Sequence, residues 1–285
     1  MTMDFIEILK IFLLGVVEGI TEWLPVSSTG HLILIDKLFP LSARDEFKNV
    51  FLYVVQFGAI LAVLLLFWKK LFPFSLSKKS NDENKTTVVV EKNTLILWGK
   101  IIVACVPAAV IGLLFDFPDN PILIASSLIF YGILFILIEN KNKGKTFPVN
   151  TTDEISYKQA LFIGLFQVLA IIPGTSRSGI TILSALLLGI SRPAGAEFTF
   201  FLAIPVMAGA SFLKTLKFII EFGSFTLSEF GYLFVGTITA FVVSLFTVKF
   251  LMDFVKKHDF KIFGWYRIGL GIIVLLVTVL PLLFA

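Results

Sequence analysis

The feature that most constrains the fold of this chain is a series of apolar runs long enough to cross a membrane. They are residues 50–68, 95–115, 122–138, 197–213, 229–251 and 266–284. A helix needs roughly 20 apolar residues to cross a hydrocarbon core about 30 Å thick. Charged residues make up only 15% of the chain, against about 25% in soluble domains. We therefore predict an all-α polytopic membrane protein, 1–285, forming a single integral membrane domain with six transmembrane helices.

The basic residues are distributed unevenly between the connections. Three of them hold most of the Lys and Arg, with six in 69–94, four in 139–158 and five in 249–267. The connection 116–121 has none, and 214–228 has two. Cytoplasmic loops are enriched in Lys and Arg, so the first three are predicted to be cytoplasmic and the other two external. The modest net charge of +4 fits this topology and gives no reason to expect a nucleic-acid partner.

Two further apolar segments, 5–35 and 159–190, are interrupted by charged residues, proline and hydroxyl groups. The charge pattern is consistent only if each enters and leaves the membrane on the same side. Non-helical backbone at membrane depth must be buried in protein or line a wet cavity. We therefore predict two re-entrant helical hairpins that enter from opposite faces and share a central cavity.

The two interrupted segments resemble each other, which indicates an internal repeat. Gly15 aligns with Gly164 and Glu18 with Gln167; with a one-residue slip, Pro25 aligns with Pro173 and Ser28 with Ser176. Three spans follow each hairpin, so the second copy would be inverted relative to the first. We predict an inverted-topology repeat, with repeat one at 1–140, repeat two at 155–285 and a site at their interface.

The first hairpin carries two carboxylates, a hydroxyl and an imidazole. Glu18 and Glu22 are four residues apart, so on a helix they share one face. Ionisable groups inside a membrane are costly and indicate function. The pair could bind a divalent cation such as Mg²⁺, or one carboxylate could act as a general base. Ser28 lies close enough to His31 in sequence for a nucleophile and base to meet.

The second hairpin contains a Gly- and Ser-rich loop with one arginine. Glycine and hydroxyl residues before a helix leave backbone N–H groups available to an anion, and the guanidinium of Arg177 suits phosphate oxygens. Its partner could be a phosphate, or it could be Glu18 or Glu22. Beside the groups above, the candidate substrate-binding residues are Ser27, Thr29, Gly174, Thr175, Ser176 and Ser178.

Two other classes of protein remain alternatives to an enzyme. Inverted repeats with broken helices are also typical of transporters, so a transporter or flippase for an isoprenoid phosphate lipid is the main alternative. A membrane scaffold would not explain the cost of burying Glu18, Glu22 and Arg177. The combination of Ser, His, Glu and Arg favours chemistry, because a transporter needs no nucleophile.

Two long motifs resemble those of the bacterial undecaprenyl-pyrophosphate phosphatase family, also called the bacitracin-resistance protein family. They are EGITEWLPVSSTGH at 18–31 and PGTSRSG at 173–179. The resemblance extends over essentially the whole chain. It implies hydrolysis of undecaprenyl pyrophosphate to the monophosphate carrier, which is reused in peptidoglycan and other cell-wall polymer synthesis. It also implies dependence on Mg²⁺ or another divalent cation such as Ca²⁺, and a site facing the outer side of the bacterial cytoplasmic membrane.

By motif position, the resemblance places the family's functional residues on Glu18, Glu22, Ser28, His31 and Arg177. Glu18 and Glu22 would hold the metal. The attacking group stays open between Ser28, His31 and water, and the proton acceptor between His31 and Glu22. The substrate would be a polyprenyl pyrophosphate lipid in the bilayer, and a homodimer is allowed.

Overall fold

The computed structural model describes residues 4–78, 86–115, 117–118 and 120–278. Most of these residues are helical. The α-helices are α1 (Phe5–Thr21), α2 (Ser28–Leu38), α3 (Asp45–Leu66), α4 (Trp68–Leu71), α5 (Lys92–Leu114), α6 (Pro121–Lys141), α7 (Tyr157–Gln167), α8 (Arg177–Leu187), α9 (Arg192–Phe222), α10 (Leu227–Val255) and α11 (Lys261–Thr278).

Six of the described helices, α3, α5, α6, α9, α10 and α11, are long and apolar enough to cross a membrane. They correspond one to one with the predicted spans, so the all-α polytopic fold is confirmed. Several boundaries differ from the prediction, including the start of α3, which lies at Asp45 and not at 50. Helix α9 extends beyond both ends of 197–213, and α11 begins at Lys261 rather than at 266. The part of the last predicted run after Thr278 lies outside the described residues.

Polar caps begin several of these helices. Asn120 precedes α6, and its side chain accepts from the N–H groups of Ile122 and Leu123, with Pro121 in the first turn. Ser156 and Thr226 begin α7 and α10 with reciprocal capping boxes. Such caps satisfy backbone donors that a helix cannot bond internally. These caps determine the residues at which α6, α7 and α10 begin.

The loop after α3 contains structure that the sequence did not predict. Strands β1 (Phe74–Lys78) and β2 (Thr86–Val90) pair antiparallel, with Phe74 opposite Val90. The short helix α4 precedes this hairpin. This two-stranded sheet lies in the predicted loop 69–94 and leaves the helical membrane fold unchanged.

Both interrupted segments are helix–break–helix hairpins, as predicted. Helices α1 and α2 contact each other, and so do α7 and α8, with a short 3-10 helix, Val168–Ile171, after α7. Helices α2, α7 and α8 each have 11 residues, which is too short to span about 30 Å at 1.5 Å per residue. The breaks therefore lie within the protein and not at opposite membrane surfaces.

The packing of the helices supports the internal repeat. Helix α1 packs on α10 and its repeat counterpart α7 packs on α5; likewise α2 contacts α11 and α8 contacts α6. Helices α3 and α9 contact each other, and so do α6 and α11, as expected for pairs that meet at a two-fold relation. The repeat boundaries, 1–140 and 155–285, stay predictions.

Glycines at equivalent positions allow these helices to approach closely. A Cβ on Gly15 would lie 2.8 Å from the carbonyl oxygen of Gly236 in α10. A Cβ on its predicted partner Gly164 would lie 2.2 Å from the carbonyl oxygen of Ala104 in α5. Both distances are too short for a side chain, so each hairpin is held against a spanning helix by a glycine contact.

The register predicted for the repeat is wrong in the loops. Ser27 and Ser176 are the only non-glycine residues with positive φ in the described chain, at 77° and 69°, and each is the N-cap of the following helix. They lie 149 positions apart, as do Gly15 and Gly164. No slip is therefore needed: Ser27 corresponds to Ser176, and Ser28 to Arg177. The prolines suggested the slip, but the backbone conformation determines the correspondence.

We predict that Gly164→Ala lowers the stability of the fold by about 1–3 kcal/mol, the usual cost of overpacking. The new methyl group would collide with the backbone of α5. Thermal unfolding of purified protein in detergent measures the effect. Gly209→Ala in α9 is the matched control, because nothing lies within 4 Å of a Cβ there. An equal midpoint for both variants would contradict the close helix contact.

Candidate active site

The breaks of the two hairpins lie beside one another in the core of the protein. The hydroxyl of Ser178, just after the second break, donates to the carbonyl oxygen of Leu24 in the first at 3.2 Å. Ser27 and Ser176 both adopt the left-handed backbone region, which is uncommon for residues other than glycine. Such conformations persist only when the surrounding structure holds them, and they cluster at functional sites.

The carboxylate of Glu22 connects residues from both hairpins. Its Oε1 accepts from Nη2 of Arg177 at 2.8 Å, and its Oε2 accepts from the hydroxyl of Ser28 at 3.4 Å. The side chains of Glu22 and Arg177 are 9% and 12% exposed. The sequence left open whether Arg177 pairs with a phosphate or a glutamate. Without a ligand, its partner is Glu22.

Arg177 is also held by groups other than carboxylates. Its Nη1 donates to the carbonyl oxygen of Thr199 at 3.0 Å, and Nη2 approaches Sδ of Met207 at 3.1 Å. The guanidinium carbon lies 5.7 Å from the ring centroid of Trp23. Nε has no hydrogen-bond partner among the described residues. The guanidinium is therefore oriented by neutral groups as well as by Glu22, and its Nε is still available to an anion.

Glu18 is the most deeply buried carboxylate of the site. Its side chain lies in a residue only 1% exposed, and neither oxygen makes a hydrogen bond of acceptable geometry within the described chain. Glu22 and Gln56 are its polar neighbours. Two neighbouring carboxylates, one of them with both oxygens unpaired, fit a hard divalent cation. The described residues contain no group of three or more metal-binding side chains, so other ligands would have to come from substrate or water.

The imidazole of His31 bonds to groups other than the hydroxyl of Ser28, beside which the sequence placed it. Its Nδ1 lies 2.7 Å from the carbonyl oxygen of Ser27, and its Nε2 lies 2.7 Å from the hydroxyl of Tyr266 in α11. Ser28 instead bonds to Glu22. Of the two bases considered for Ser28, Glu22 is therefore the one in contact with its hydroxyl.

The predicted substrate-binding residues divide into accessible and buried groups. Thr29 and Ser176 are half-buried, as is the candidate nucleophile Ser28 beside them, whereas Ser27 is buried. Thr175 and Ser178 are buried, and the hydroxyl of Ser178 is used in the bond between the hairpins.

The loop backbone has a structural role at two of these positions. Gly174 has a φ of +86°, and a Cβ there would lie 2.5 Å from the carbonyl oxygen of Ile124 in α6. The side chain of Ser176 caps α8 by accepting from the N–H of Gly179 at 3.2 Å. Only glycine fits the first position, and the second begins the helix that carries Arg177.

The chain is similar over nearly its whole length to known proteins of one family. The family model described as "Bacitracin resistance protein BacA" matches residues 11–273. The chain belongs to this family. It is 56% identical over 283 residues to an undecaprenyl-diphosphatase of Enterococcus faecalis, covering 98% of this chain and 99% of that protein. It is 55% identical over 280 residues to an undecaprenyl-diphosphatase of Desulfitobacterium hafniense, covering 96% and 97%.

In this member of the BacA family, Arg267 belongs to the site, which the charge pattern of the sequence did not predict. It was counted in the cytoplasmic segment 249–267, but it lies in α11 and is 0% exposed. Its Nη1 donates to the carbonyl oxygen of Pro25 at 3.3 Å, and Nη2 donates to those of Gly174 and Thr175 at 2.9 and 2.8 Å. One guanidinium therefore binds the backbone of both hairpin breaks.

Tyr266, which is adjacent to Arg267, was also missed. It is separated from His31 by 235 residues, and a tyrosine near a span end usually reads as a membrane-interface residue. The sequence held one usable signal for Arg267. It directly follows the aromatic pair Trp265 and Tyr266 and precedes an apolar run, so it belongs to the span itself. The sequence contained no such signal for Tyr266.

Proposed function

We propose that this protein hydrolyses undecaprenyl diphosphate to undecaprenyl phosphate and inorganic phosphate, and so recycles the lipid carrier for peptidoglycan and other cell-wall polymers. The observation that carries the proposal is the Ser28–Glu22–Arg177 contact, which joins a hydroxyl, a carboxylate and a guanidinium from two hairpins at one buried point. Relatives that share 56% and 54% of their residues with this chain are undecaprenyl-diphosphatases.

Arg177 is proposed to bind the pyrophosphate. In the free protein its Nη2 is occupied by Glu22 while Nε is unused. A pyrophosphate carries more negative charge than one carboxylate, and a guanidinium binds phosphate oxygens in a forked geometry. Substrate would therefore draw Arg177 away from Glu22. Release of this ion pair would free the Glu22 carboxylate for its role in the reaction.

Ser28 is proposed as the nucleophile and Glu22 as its base. Glu22 would take the proton from Oγ as Oγ bonds to the terminal phosphorus. The bond from that phosphorus to the bridging oxygen breaks, and undecaprenyl phosphate leaves. Water then hydrolyses the phosphoserine, releasing inorganic phosphate. The positive charge of Arg177 stabilises the charge that develops on the equatorial oxygens.

A divalent cation is part of the proposal. Mg²⁺, or another divalent cation such as Ca²⁺, would be held by Glu18 and Glu22, whose carboxylate oxygens are the hard ligands that such ions prefer. The buried carboxylate of Glu18, which has no hydrogen-bond partner among the described residues, supports this assignment. When bound, the cation would neutralise charge on the pyrophosphate.

We predict that purified protein releases phosphate from undecaprenyl diphosphate in Mg²⁺ and that a chelator abolishes the release. Arg177→Ala and Glu22→Gln should each lower kcat/KM by about 10²–10³-fold, the usual cost of removing an electrostatic group from a transition state. Ser28→Ala should remove the activity if Ser28 is the nucleophile. If water attacks the phosphorus directly, the Ser28→Ala protein should remain active. Glu46→Gln is the matched control, because Glu46 is exposed at the start of α3.

Two results would count against the proposal. Absence of phosphate release by the wild-type protein in Mg²⁺ would reject the enzyme. Transport of an isoprenoid phosphate lipid into vesicles without hydrolysis would favour the transporter that the inverted repeat also allows.

The site is proposed to face the outer side of the bacterial cytoplasmic membrane. The uneven distribution of Lys and Arg supports an orientation in which α6 begins outside and ends in the cytoplasm. Cysteines introduced at Asn120 and at Asn142, the caps of α6, test this orientation. A membrane-impermeant thiol reagent should label Asn120→Cys in intact cells and Asn142→Cys only after permeabilisation. The reverse pattern would invert the topology.

A further inference from the structure

The strongest contact in the site that the proposed reaction does not use joins His31 to Tyr266. The hydroxyl of Tyr266 lies 2.7 Å from Nε2 of His31. Their rings are nearly parallel, with an interplanar angle of 13° and centroids 5.6 Å apart. The two residues come from opposite ends of the chain, on α2 and α11. The orientation of the imidazole therefore depends on an element outside both hairpins.

The hydrogen bonds of His31 determine which of its nitrogens faces the site. Nδ1 lies 2.7 Å from the carbonyl oxygen of Ser27, and a carbonyl oxygen can only accept, so Nδ1 carries a proton. In the neutral ring, Nε2 then accepts from the hydroxyl of Tyr266; in the protonated ring, Nε2 donates to the same oxygen. Both contacts hold in either charge state. Both ring nitrogens are therefore occupied in the free protein, and Nε2, whose partner is a side-chain hydroxyl and not the backbone, is the one whose partner a phosphate oxygen of the substrate could replace.

Tyr266 is itself fixed in position by its neighbour in sequence. Arg267 binds the carbonyl oxygens of Pro25, Gly174 and Thr175, so this turn of α11 cannot shift relative to the two hairpin breaks. Tyr266 differs from Arg267 in accessibility, since it is 49% exposed and Arg267 is 0% exposed. A hydroxyl anchored in this way, and still reachable from outside, suits the orientation of a reacting group.

We propose that Tyr266 is a positioning residue, which holds the imidazole of His31 in the orientation from which Nε2, in the protonated ring, passes its proton to the bridging oxygen as the lipid phosphate leaves. This inference rests on the proposed function and adds a third element, α11, to the site formed by the two hairpins. Tyr266 acts through His31 and does not take part in bond breaking.

The kinetic test compares Tyr266→Phe with the wild-type protein. The substitution keeps the ring and removes the hydroxyl. It should lower kcat about tenfold to a hundredfold, within the range expected when a proton-transfer group loses its orientation, and should change KM by less than about twofold. Tyr232→Phe is the matched control, because it removes a hydroxyl from α10, where Tyr232 packs beside Phe47.

A double-mutant cycle separates a positioning role from a general structural one. If Tyr266 acts only through His31, Tyr266→Phe should change the residual rate of the His31→Ala protein by less than about twofold, because coupled residues are not additive. A tenfold or larger further loss in that background would overturn the proposal.

Nitrogen NMR gives a readout that does not depend on activity. The chain has two histidines, and the exposed His258 can be replaced, so ¹⁵N-histidine labelling of the His258→Gln protein reports His31 alone. We expect a protonated Nδ1 and a hydrogen-bonded Nε2, with a shift of the Nε2 signal in the Tyr266→Phe variant and none in Tyr232→Phe.

The outcomes separate this inference from the proposed function. If the wild-type protein releases no phosphate, the proposed function fails, and the Nε2 signal still decides whether Tyr266 holds His31. If the wild-type protein is active while Tyr266→Phe keeps its kcat or leaves the Nε2 signal unchanged, the function stands and the positioning role of Tyr266 is rejected.

Discussion

The site depends on one buried cation, the guanidinium of Arg267. It donates to backbone carbonyls of both hairpin breaks and lies 5.8 Å from the ring centroid of Tyr131. Carbonyl groups in a broken helix at membrane depth have no water to bond, and leaving them unpaired costs several kcal/mol each. Arg267 satisfies three of them at once. The same contacts bring the loop that carries Ser28 and His31 next to the loop that carries Arg177.

The repeat provides two similar hairpins, and the sequence has made them chemically different. At the corresponding positions, Ser28 of the first hairpin is matched by Arg177 of the second, and Glu18 by Gln167. The first hairpin therefore carries the carboxylates and the candidate nucleophile, and the second hairpin carries the positive charge. The Glu22–Arg177 ion pair crosses the interface between the repeats, so neither hairpin alone forms the site.

The spans and most residues of the candidate site could be predicted from the sequence. Both predictions rest on the free-energy cost of placing charged or polar groups in the hydrocarbon core. Apolar length alone identifies α3 or α6, and a buried Glu18 or Arg177 requires a functional reason. Arg267 was misassigned because its partners are backbone carbonyls, which have no sequence signature. The contact between Tyr266 and His31 joins residues far apart in the chain. The loop register was wrong because prolines suggested a slip that the positive φ of Ser27 and Ser176 excludes.

The most direct test of the account is the phosphate-release rate of Arg267→Lys. A lysine keeps the charge, but its single ammonium group cannot reproduce the planar fork that reaches three carbonyl oxygens. We expect a loss of about 10²-fold, the cost of misplacing reacting groups by about 1 Å, while Arg44→Lys, at an ion pair with Glu229 outside the site, stays near wild type. A wild-type rate for Arg267→Lys would contradict the account.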